Sequence, residues 1–287
     1  MDIGAIFTIL LTQPITNLLV GCYQLLAFLH IPFALGFSII LLTFIIRIIL
    51  YPFTASQIKT SKKMQDMAPH ISNLKVKHKD DKKKQQEEMM KLYSEFGVNP
   101  AAGCLPVIIQ IPIIWGLYHV LSTVVNANSI AKLKEINSLM YSDGLKLTRL
   151  WETTFFGIPL AQSPSHLMKD MPLIVLVPAL TAVLQLIFSK MMAPEVAPSG
   201  KQDDFQATFA KQSLFIFPIM IGVFSFQLPF GLSLYWNAFT IFGILQQYFL
   251  VGLGGLKQWQ KFAEKKYPML MTEKVEKVKK NKNGKRS

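Results

Sequence analysis

One arginine lies inside an otherwise apolar stretch, and its chemistry needs an explanation before any other feature of this sequence. Arg47 is the only charged residue between Phe33 and Leu50. An arginine at the centre of a membrane-spanning helix costs roughly 2.5 to 3.5 kcal/mol on insertion scales, so it needs polar or hydrated surroundings. A guanidinium held in such surroundings could attract an anionic group, which makes Arg47 the first candidate site residue.

Two glutamines in other apolar stretches share the predicted depth of this arginine. Arg47 and Gln185 each lie about 13 residues from the predicted outer end of their helix, and Gln110 lies about six residues from the inner end of its own. All three residues are therefore expected at one level, in the inner half of the membrane. Polar groups at that depth must face protein or water rather than lipid.

The helical spacing of further polar residues predicts that several helices present polar stripes to the same internal space. Residues three or four positions apart lie on one face of a helix. The candidate site is therefore a hydrated cavity in the inner leaflet, and its predicted lining is Arg47, Thr43, Gln110, Thr181, Gln185, Ser189, Trp236, Thr240 and Gln247.

Plainer roles stay open for each of these residues when it is considered alone. Arg47 could extend its side chain to the cytoplasmic head groups. Gln110 or Gln185 could make a hydrogen bond between helices, and Trp236 could belong to an aromatic belt at the outer interface. The agreement of their depths favours a shared hydrated cavity.

The composition places the chain among integral membrane proteins. Of its 287 residues, 51% are hydrophobic, and the net charge is +13. The chain is too apolar for an ordinary soluble domain and too basic for an even scatter of charge. A membrane-spanning helix needs about 20 mostly apolar residues. Five stretches predict an all-α protein with five transmembrane helices, at about residues 33–53, 104–125, 172–190, 213–229 and 231–253.

Lysine and arginine residues are concentrated in alternate connections between these stretches. Residues 54–103 carry ten of them, residues 190–212 carry three, and the segment after residue 255 carries eleven, against five in residues 126–171. Positively charged loops stay on the cytoplasmic side of a membrane. The sequence therefore predicts a multi-pass protein with its N-terminus outside and its C-terminus inside.

Residues 1–32 form a separate predicted element. Residues 8–28 are apolar with interspersed polar positions and contain no lysine or arginine, unlike the basic start of a cleavable signal peptide. The pattern predicts an amphipathic helix on the outer membrane surface. Residues 19–22, Leu-Val-Gly-Cys, are similar to a lipoprotein box, which leaves lipidation of Cys22 open.

Two cytoplasmic segments are rich in lysine. Residues 57–96 have apolar positions at helical spacing on both sides of the charged residues 77–84, which predicts two antiparallel helices joined by a hinge. Residues 256–287 form a basic tail with too few apolar residues for a core. Both segments could be solvated faces that obey the charge rule, or they could contact anionic lipid head groups or a ribosome.

The sequence indicates no metal or cofactor site. Cys22 and Cys104 are predicted to lie on opposite sides of the membrane, and the five histidines are scattered. The chain also lacks a Walker-type glycine loop. We therefore expect neither a bound cofactor nor an enzymatic reaction.

Several motifs between residues 30 and 255 together resemble those of one family. The motifs are FIIRIILYPF at residues 44–53, SKKMQ at 61–65, LYSEFGVNP at 92–100, GCLP at 103–106, QIP at 110–112, LPFGLSLYW at 228–236 and QQ at 246–247. In this order they resemble the YidC-type membrane protein insertases, which have relatives in mitochondrial and thylakoid membranes.

The resemblance implies a fold and a function. It implies five helices around a positively charged hydrophilic groove that is open to the cytoplasm and the lipid but sealed outside. Arg47 would supply the charge, and Gln185 and Trp236 would line the groove. The implied partners are nascent membrane proteins, with ribosome and anionic lipid contacts as hypotheses, at the bacterial plasma membrane. Whether a Sec-type translocon takes part stays open.

The chain departs from the family pattern in three places. Many relatives carry an asparagine a few residues after the Tyr-Trp pair, whereas this chain has Asn237 directly after Trp236 and has Thr240 in the later stretch. Only 32 residues precede the first predicted span, so the large outer domain of some relatives is expected to be absent. The outer loop of residues 126–171 contains aromatic residues that predict amphipathic helices on the outer surface.

Two other classes of protein stay open from the sequence. Arg47 could bind the substrate of a small-anion transporter or channel, although such proteins commonly contain internal repeats, which five spans do not suggest. A passive scaffold would leave the polar stripes unexplained. In an insertase, Arg47 would attract an acidic client tail, and burial of the client helix, at about 0.8 kcal/mol per CH₂, would drive release.

Overall fold

The chain folds into a mostly helical bundle. The computed structural model describes residues 3–79, 81–98, 105–125, 129–193 and 205–257. The α-helices of this described part are α1 Ile3–Phe7, α2 Gln13–Phe28, α3 Ala34–Ile49, α4 Tyr51–Lys77, α5 Lys82–Glu95, α6 Leu105–Val125, α7 Ile130–Ser138, α8 Pro164–Leu167, α9 Leu176–Met192, α10 Phe205–Gln227 and α11 Phe230–Val251. A two-stranded antiparallel sheet, β1 Thr154–Phe155 with β2 Ile158–Pro159, interrupts the connection between α7 and α8.

Helices α1 and α2 form one continuous apolar helix, joined by the π-helical turn Thr8–Thr12. Residues 4–28 are long and apolar enough to cross a membrane. The helix packs along α3 and α6, and it buries Leu19 and Val20 completely. Cys22 is also buried, in the middle of α2. The placement of residues 1–32 on the outer membrane surface stays a prediction.

A sharp bend separates α3 from α4. The two helices meet at Leu50 with an angle of 69° between them. Pro52 lies in the first turn of α4, where its missing N–H is tolerated and its fixed φ favours a helix start. The apolar stretch predicted for residues 33–53 is therefore divided, since its last residues begin the next helix.

The later helices follow the predicted apolar stretches closely. Helix α10 begins at Phe205 rather than at residue 213, because the more polar residues before the apolar stretch continue the same helix. It ends at Gln227, and α11 begins at Phe230, so the predicted turn at Pro229 is confirmed. By length and composition, residues 172–192 also qualify as a membrane span, and the bent pair α3–α4 would be another. The five-span count and the orientation stay predictions.

Helix α11 occupies the centre of the bundle and packs against α3, α4, α6 and α9, while α10 packs on α9. We call the end of the bundle that carries α4 and α5 the hairpin end, and the end that carries the connection from α7 to α8 the loop end. At the loop end, the first two N–H groups of α11 are capped by that connection: Phe230 N donates to Gln162 O at 2.8 Å, and Gly231 N donates to Leu160 O at 2.9 Å. These bonds satisfy donors that a helix start leaves open.

Two asparagine side chains hold the same connection in place, one from α2 and one from α7. Asn17 on α2 donates to Leu139 O and accepts from Tyr141 N, both at 2.8 Å. Asn137 bonds both backbone groups of Leu147, at 2.8 and 3.0 Å. Residues 129–171 thus contain the short helices α7 and α8 together with a strand pair. Hydrogen bonds that involve their backbone hold them against α2 and α11.

Helices α4 and α5 form the predicted antiparallel hairpin. Gln85 Nε2 donates to Lys75 O near the hinge, and the rings of His70 and Phe96 lie 5.4 Å apart farther from it. Packing is uneven along the hairpin: α4 buries five side chains between residues 55 and 68, whereas α5 buries none. The first part of α4 is therefore anchored to the bundle, whereas α5 packs on it less closely.

Amide hydrogen exchange is expected to divide the hairpin at about Pro69. Residues 55–68 should exchange slowly because their buried side chains resist local opening, and residues 82–95 should exchange faster because none of their side chains is buried. Exchange mass spectrometry of the protein in nanodiscs measures both segments in one sample. Exchange across residues 82–95 as slow as that across residues 55–68 would contradict this prediction.

Candidate functional site

The side chain of Arg47 is buried between α3 and α11. Only 4% of the residue is exposed. Its Nη1 donates to Gln246 Oε1 at 2.8 Å, and its Nη2 donates to the backbone oxygen of Phe239 at 2.6 Å. The guanidinium carbon lies 3.7 Å from the centroid of the Phe239 ring, within the range of a cation–π contact. The guanidinium therefore points into the bundle and not along the helix toward solvent.

A glycine on α11 makes room for this guanidinium. A methyl group at Gly243 would overlap Arg47 Nη2 and would lie 3.1 Å from the ring of Phe188 on α9. The partners of Arg47 among the described residues are an amide, a carbonyl and an aromatic ring, so none of them carries a negative charge. Its Nε has no partner there. The site therefore holds a buried positive charge that neutral groups solvate only in part.

The predicted faces of α9 and α11 meet in the middle of the bundle. Thr240 Oγ1 donates to Gln185 Oε1 at 3.3 Å and also lies 2.9 Å from the backbone oxygen of Trp236. Gln185 and Thr240 are buried, and Trp236 is half-buried. The spacing of four residues places each group on one stripe of its helix, and Gln185 and Thr240 meet where the two helices pack.

Two further polar contacts lie on either side of this pair along α11. Toward the loop end, Thr181 Oγ1 lies 3.1 Å from Ser225 Oγ, which donates to Ser233 Oγ at 2.9 Å. Toward the hairpin end, Gln247 Nε2 donates to Met191 O at 3.3 Å. We call the residues from these three contacts the polar ladder: Thr181, Gln185, Gln247, Ser225, Ser233 and Thr240.

The other predicted site residues lie apart from the arginine. Gln110 Nε2 donates to the hydroxyl of Tyr235 at 2.9 Å and so connects α6 to α11. Thr43 is fully buried on the same face of α3 as Arg47, and its hydroxyl donates to Ile39 O at 2.6 Å. Ser189 is half-buried on α9.

The direct partners of Arg47 were not among the predicted site residues. Gln246 belongs to the QQ motif but not to the predicted lining, and Phe239 belongs to neither. Their spacing contains the missed signal: Phe239, Gly243 and Gln246 are separated by four and three residues, so they share one stripe of α11. The predicted stripe through Thr240 and Gln247 lies next to this one on α11. Only the packing of α3 against α11 shows that Arg47 contacts the stripe of Gln246 and not the predicted stripe.

The described residues form no group of three or more histidine, cysteine or acidic side chains that could hold a metal ion. The candidate site is thus defined by one buried cation, a set of neutral hydrogen-bonding groups and an apolar exterior. Exposed aliphatic and aromatic side chains cover the outward faces of α3, α9, α10 and α11, as expected for helices in contact with lipid.

The helical fold, its apolar exterior and its buried polar site define a helical membrane protein, and comparison with known proteins agrees with this class. Residues 25–253 match the sequence model of the family described as "60Kd inner membrane protein". The chain belongs to this family, which includes the YidC-type membrane protein insertases.

Individual relatives come from bacteria and from chloroplasts. The membrane protein insertase YidC of Fusobacterium nucleatum is 32% identical over 220 residues, which are 76% of this chain and 87% of that protein. The chloroplastic inner membrane ALBINO3-like protein 1 of Chlamydomonas reinhardtii is 33% identical over 236 residues, which are 79% of this chain and 46% of that protein. The chain thus spans about half the length of several of its curated relatives.

One solved structure has a similar fold. It is described as "Active YidC insertase crystal structure with the first transmembrane domain resolved", and it matches with a TM-score of 0.50 and 27% sequence identity. The match covers 80% of this chain and 45% of the solved chain.

Proposed function

We propose that this protein inserts nascent membrane proteins into the lipid bilayer and assists their folding, without an enzymatic step. The observation that carries the proposal is the buried charge of Arg47 beside the polar ladder, which meets only neutral partners among the described residues. A cation in such a place attracts an anionic group strongly, because the low dielectric of the surroundings weakens electrostatic interactions less than water does. Family membership supports this function and does not favour the small-anion transporter.

The proposed topology has five spans, formed by α3, α6, α9, α10 and α11. In this arrangement the N-terminus lies outside and the C-terminus inside, and the hairpin end faces the cytoplasm. The distribution of lysine and arginine supports the orientation, because the connections that would be cytoplasmic carry most of the positive charge. The loop end would then close the groove on the outer side.

The proposed groove runs along the polar ladder and Arg47 and is open to the cytoplasm and the lipid. A client segment with a short acidic tail enters from the hairpin end, and its carboxylates replace the neutral partners of Arg47. Its apolar part slides along the outward faces of α3, α9 and α11. The polar path shortens the hydrocarbon layer that the tail must cross, and burial of the client helix in lipid completes the step.

The proposed partners follow from this mechanism and from charge. Nascent membrane proteins are the clients, and the lysine-rich hairpin and the basic tail contact anionic lipid head groups or the phosphates of a translating ribosome. Residues 258–287 of this tail lie outside the described residues. The proposed location is the bacterial plasma membrane, and relatives from chloroplasts leave the source of the chain open.

Photocrosslinking during translation tests the function directly. A photoreactive amino acid at position 185 or 236 is expected to crosslink to ribosome-bound nascent membrane proteins, because Gln185 and Trp236 line the proposed groove. Position 219 is the matched control, since Ile219 is 62% exposed on α10, away from the groove. Equal crosslinking from all three positions, or none from 185 and 236, would remove the groove from the mechanism.

A further inference from the structure

Two adjacent glutamines on α11 lie between the buried arginine of α3 and the contacts that hold the hairpin helix α4 to the bundle. Gln246 accepts a hydrogen bond from Arg47 on α3, and Gln247 donates to Met191 at the end of α9. The same Met191 oxygen accepts a hydrogen bond from Gln65 of the hairpin helix α4. We propose that Gln246 is a positioning residue that keeps the guanidinium of Arg47 docked on α11, and that Gln247 couples this docked position to the hairpin through the Met191 carbonyl.

The docked position of Arg47 depends on a specific fit. Gly243 leaves the space for the guanidinium, Phe239 supplies a ring and a carbonyl, and Gln246 is its one side-chain acceptor among the described residues. An amide oxygen is neutral, so it solvates the cation without neutralising it. A carboxylate that approaches Arg47 can therefore displace Gln246, because a charge-assisted hydrogen bond is stronger than a bond to an amide.

The Met191 carbonyl joins three segments of the chain. It accepts from Gln65 Nε2 at 2.9 Å, from Gln247 Nε2 at 3.3 Å and from the backbone N–H of Gly255 at 3.4 Å. The next carbonyl, that of Met192, accepts from Ser61 Oγ of α4 at 2.5 Å. The last carbonyls of a helix have no partners within the helix, so these donors satisfy α9 and anchor α4 and α11 on it.

The Met191 carbonyl and its donors, which we call the anchor, are buried and closely packed. Gln247 is fully buried and Gln65 is 8% exposed. A methyl group at Gly254 would overlap the Met191 oxygen, so the chain after α11 also approaches it closely. When α4 moves away, the Met191 carbonyl keeps Gln247 and Gly255 as donors, at 3.3 and 3.4 Å. Both bonds are long, so we expect them to shorten once the nearer donor Gln65 is gone, which shifts α11 against α9.

The coupling follows from the position of the two glutamines on one rigid helix. They are consecutive residues of α11, so a shift of Gln247 at the anchor also shifts Gln246 at the arginine. A partner that pulls the hairpin would weaken the anchor and release Arg47 toward the groove. The role of this coupling rests on the proposed function, because an Arg47 side chain released from α11 would be exposed to a client tail.

The chemistry of arginine gives a test that needs no client. The chain has three arginines, Arg47, Arg149 and Arg286, and Arg149 is exposed in the connection after α7. Phenylglyoxal modifies accessible guanidinium groups, and peptide mass spectrometry measures the rate at each arginine of the full chain in nanodiscs. Arg47 should react slowly in the wild type, with Arg149 as the internal reference.

Replacement of the positioning residue should release Arg47. Gln246→Leu is expected to raise the labelling rate at Arg47, relative to Arg149, about tenfold, the factor that one hydrogen bond to a charged group represents. Gln246→Glu retains the acceptor and adds a charge, so it should label no faster than the wild type. Gln24→Leu, a change on α2, is the matched control. If Gln246→Leu does not fold, Gln246→Asn gives the same test with a shortened acceptor.

The coupling is tested from the hairpin. Gln65→Leu is expected to raise labelling at Arg47 about threefold, in line with the loss of a neutral hydrogen bond, although Gln65 contacts Met191 and not Arg47. Gln85→Leu, on the exposed hairpin helix α5, should change nothing.

Each result decides one part of the proposal. Unchanged labelling in Gln246→Leu would overturn the positioning role, and unchanged labelling in Gln65→Leu would overturn the coupling. Faster labelling in Gln246→Glu would also overturn the positioning role, because a general loosening of α11 would then explain the release. The assay contains no ribosome or client, so its outcome is independent of the insertion function.

Discussion

Replacing Arg47 with alanine is expected to slow the insertion of clients with acidic outer tails about tenfold, the factor for one charge-assisted hydrogen bond. The reason is the position of the guanidinium: it is buried, it has only neutral partners among the described residues, and its Nε has none. Reconstitution of the purified protein in liposomes, with insertion measured by protease protection of the client tail, gives the rate.

The lysine variant separates charge from shape. Arg47→Lys should retain much of the activity because the charge is the main requirement. It should fall somewhat below wild type, since an ammonium group cannot stack on Phe239 and donate in parallel to Gln246 as the planar guanidinium does.

Clients with uncharged tails provide the control for this pair of variants. Their insertion should change much less in Arg47→Ala, because their tails gain nothing from the cation. A wild-type rate for acidic clients in Arg47→Ala would show that the electrostatic role is wrong. An equal loss for both kinds of client would instead indicate damage to the bundle.

Replacing Gly36 with alanine is expected to destabilise the loop end by about 2 kcal/mol, within the range for overpacked cores. Gly36 lies in the first turn of α3, and a methyl group there would overlap the ring of Phe155 and lie 2.6 Å from its Cγ. Phe155 is itself buried, with Phe33 and Phe37 around it, so the ring has little room to move. Thermal unfolding in detergent measures the change.

Gly21 is the matched control for this substitution. It also lies in a helix, but a methyl group there would find its nearest neighbour, a methyl carbon of Leu145, at 3.8 Å, an ordinary contact. Gly21→Ala should therefore raise stability slightly, because alanine favours a helix over glycine by about 1 kcal/mol.

A double variant identifies the cause of the loss at Gly36. Phe155→Ala alone should cost about 3 to 5 kcal/mol, as removal of a buried aromatic ring does. Combined with Gly36→Ala it should cost clearly less than the two single changes added together, because the ring that clashes is gone. Strict additivity would exclude the contact between Gly36 and Phe155 as the cause.

Sequence patterns predicted most of the helices because their signals are local. An apolar stretch of sufficient length, a proline at a helix start and a three- or four-residue spacing of polar groups all act within one helix. The break at Pro229 follows from such local signals, and the contact between Gln185 and Thr240 joins two residues that the spacing assigned to polar stripes. The boundaries that shifted, at Leu50 and at Phe205, are places where a helix bends or continues beyond its apolar part.

The amino-acid sequence by itself determined the membrane character of this protein, its family, the isolated charge at Arg47 and the set of polar residues that could surround it. The tertiary structure decided which of those residues it meets. Periodicity gives the face of each helix but not the rotation and offset of one helix against another, and these follow from packing. The choice of Gln246 over Gln110 and Gln185 as the partner of Arg47 depends on Gly243, whose missing side chain lets α3 and α11 approach at that level.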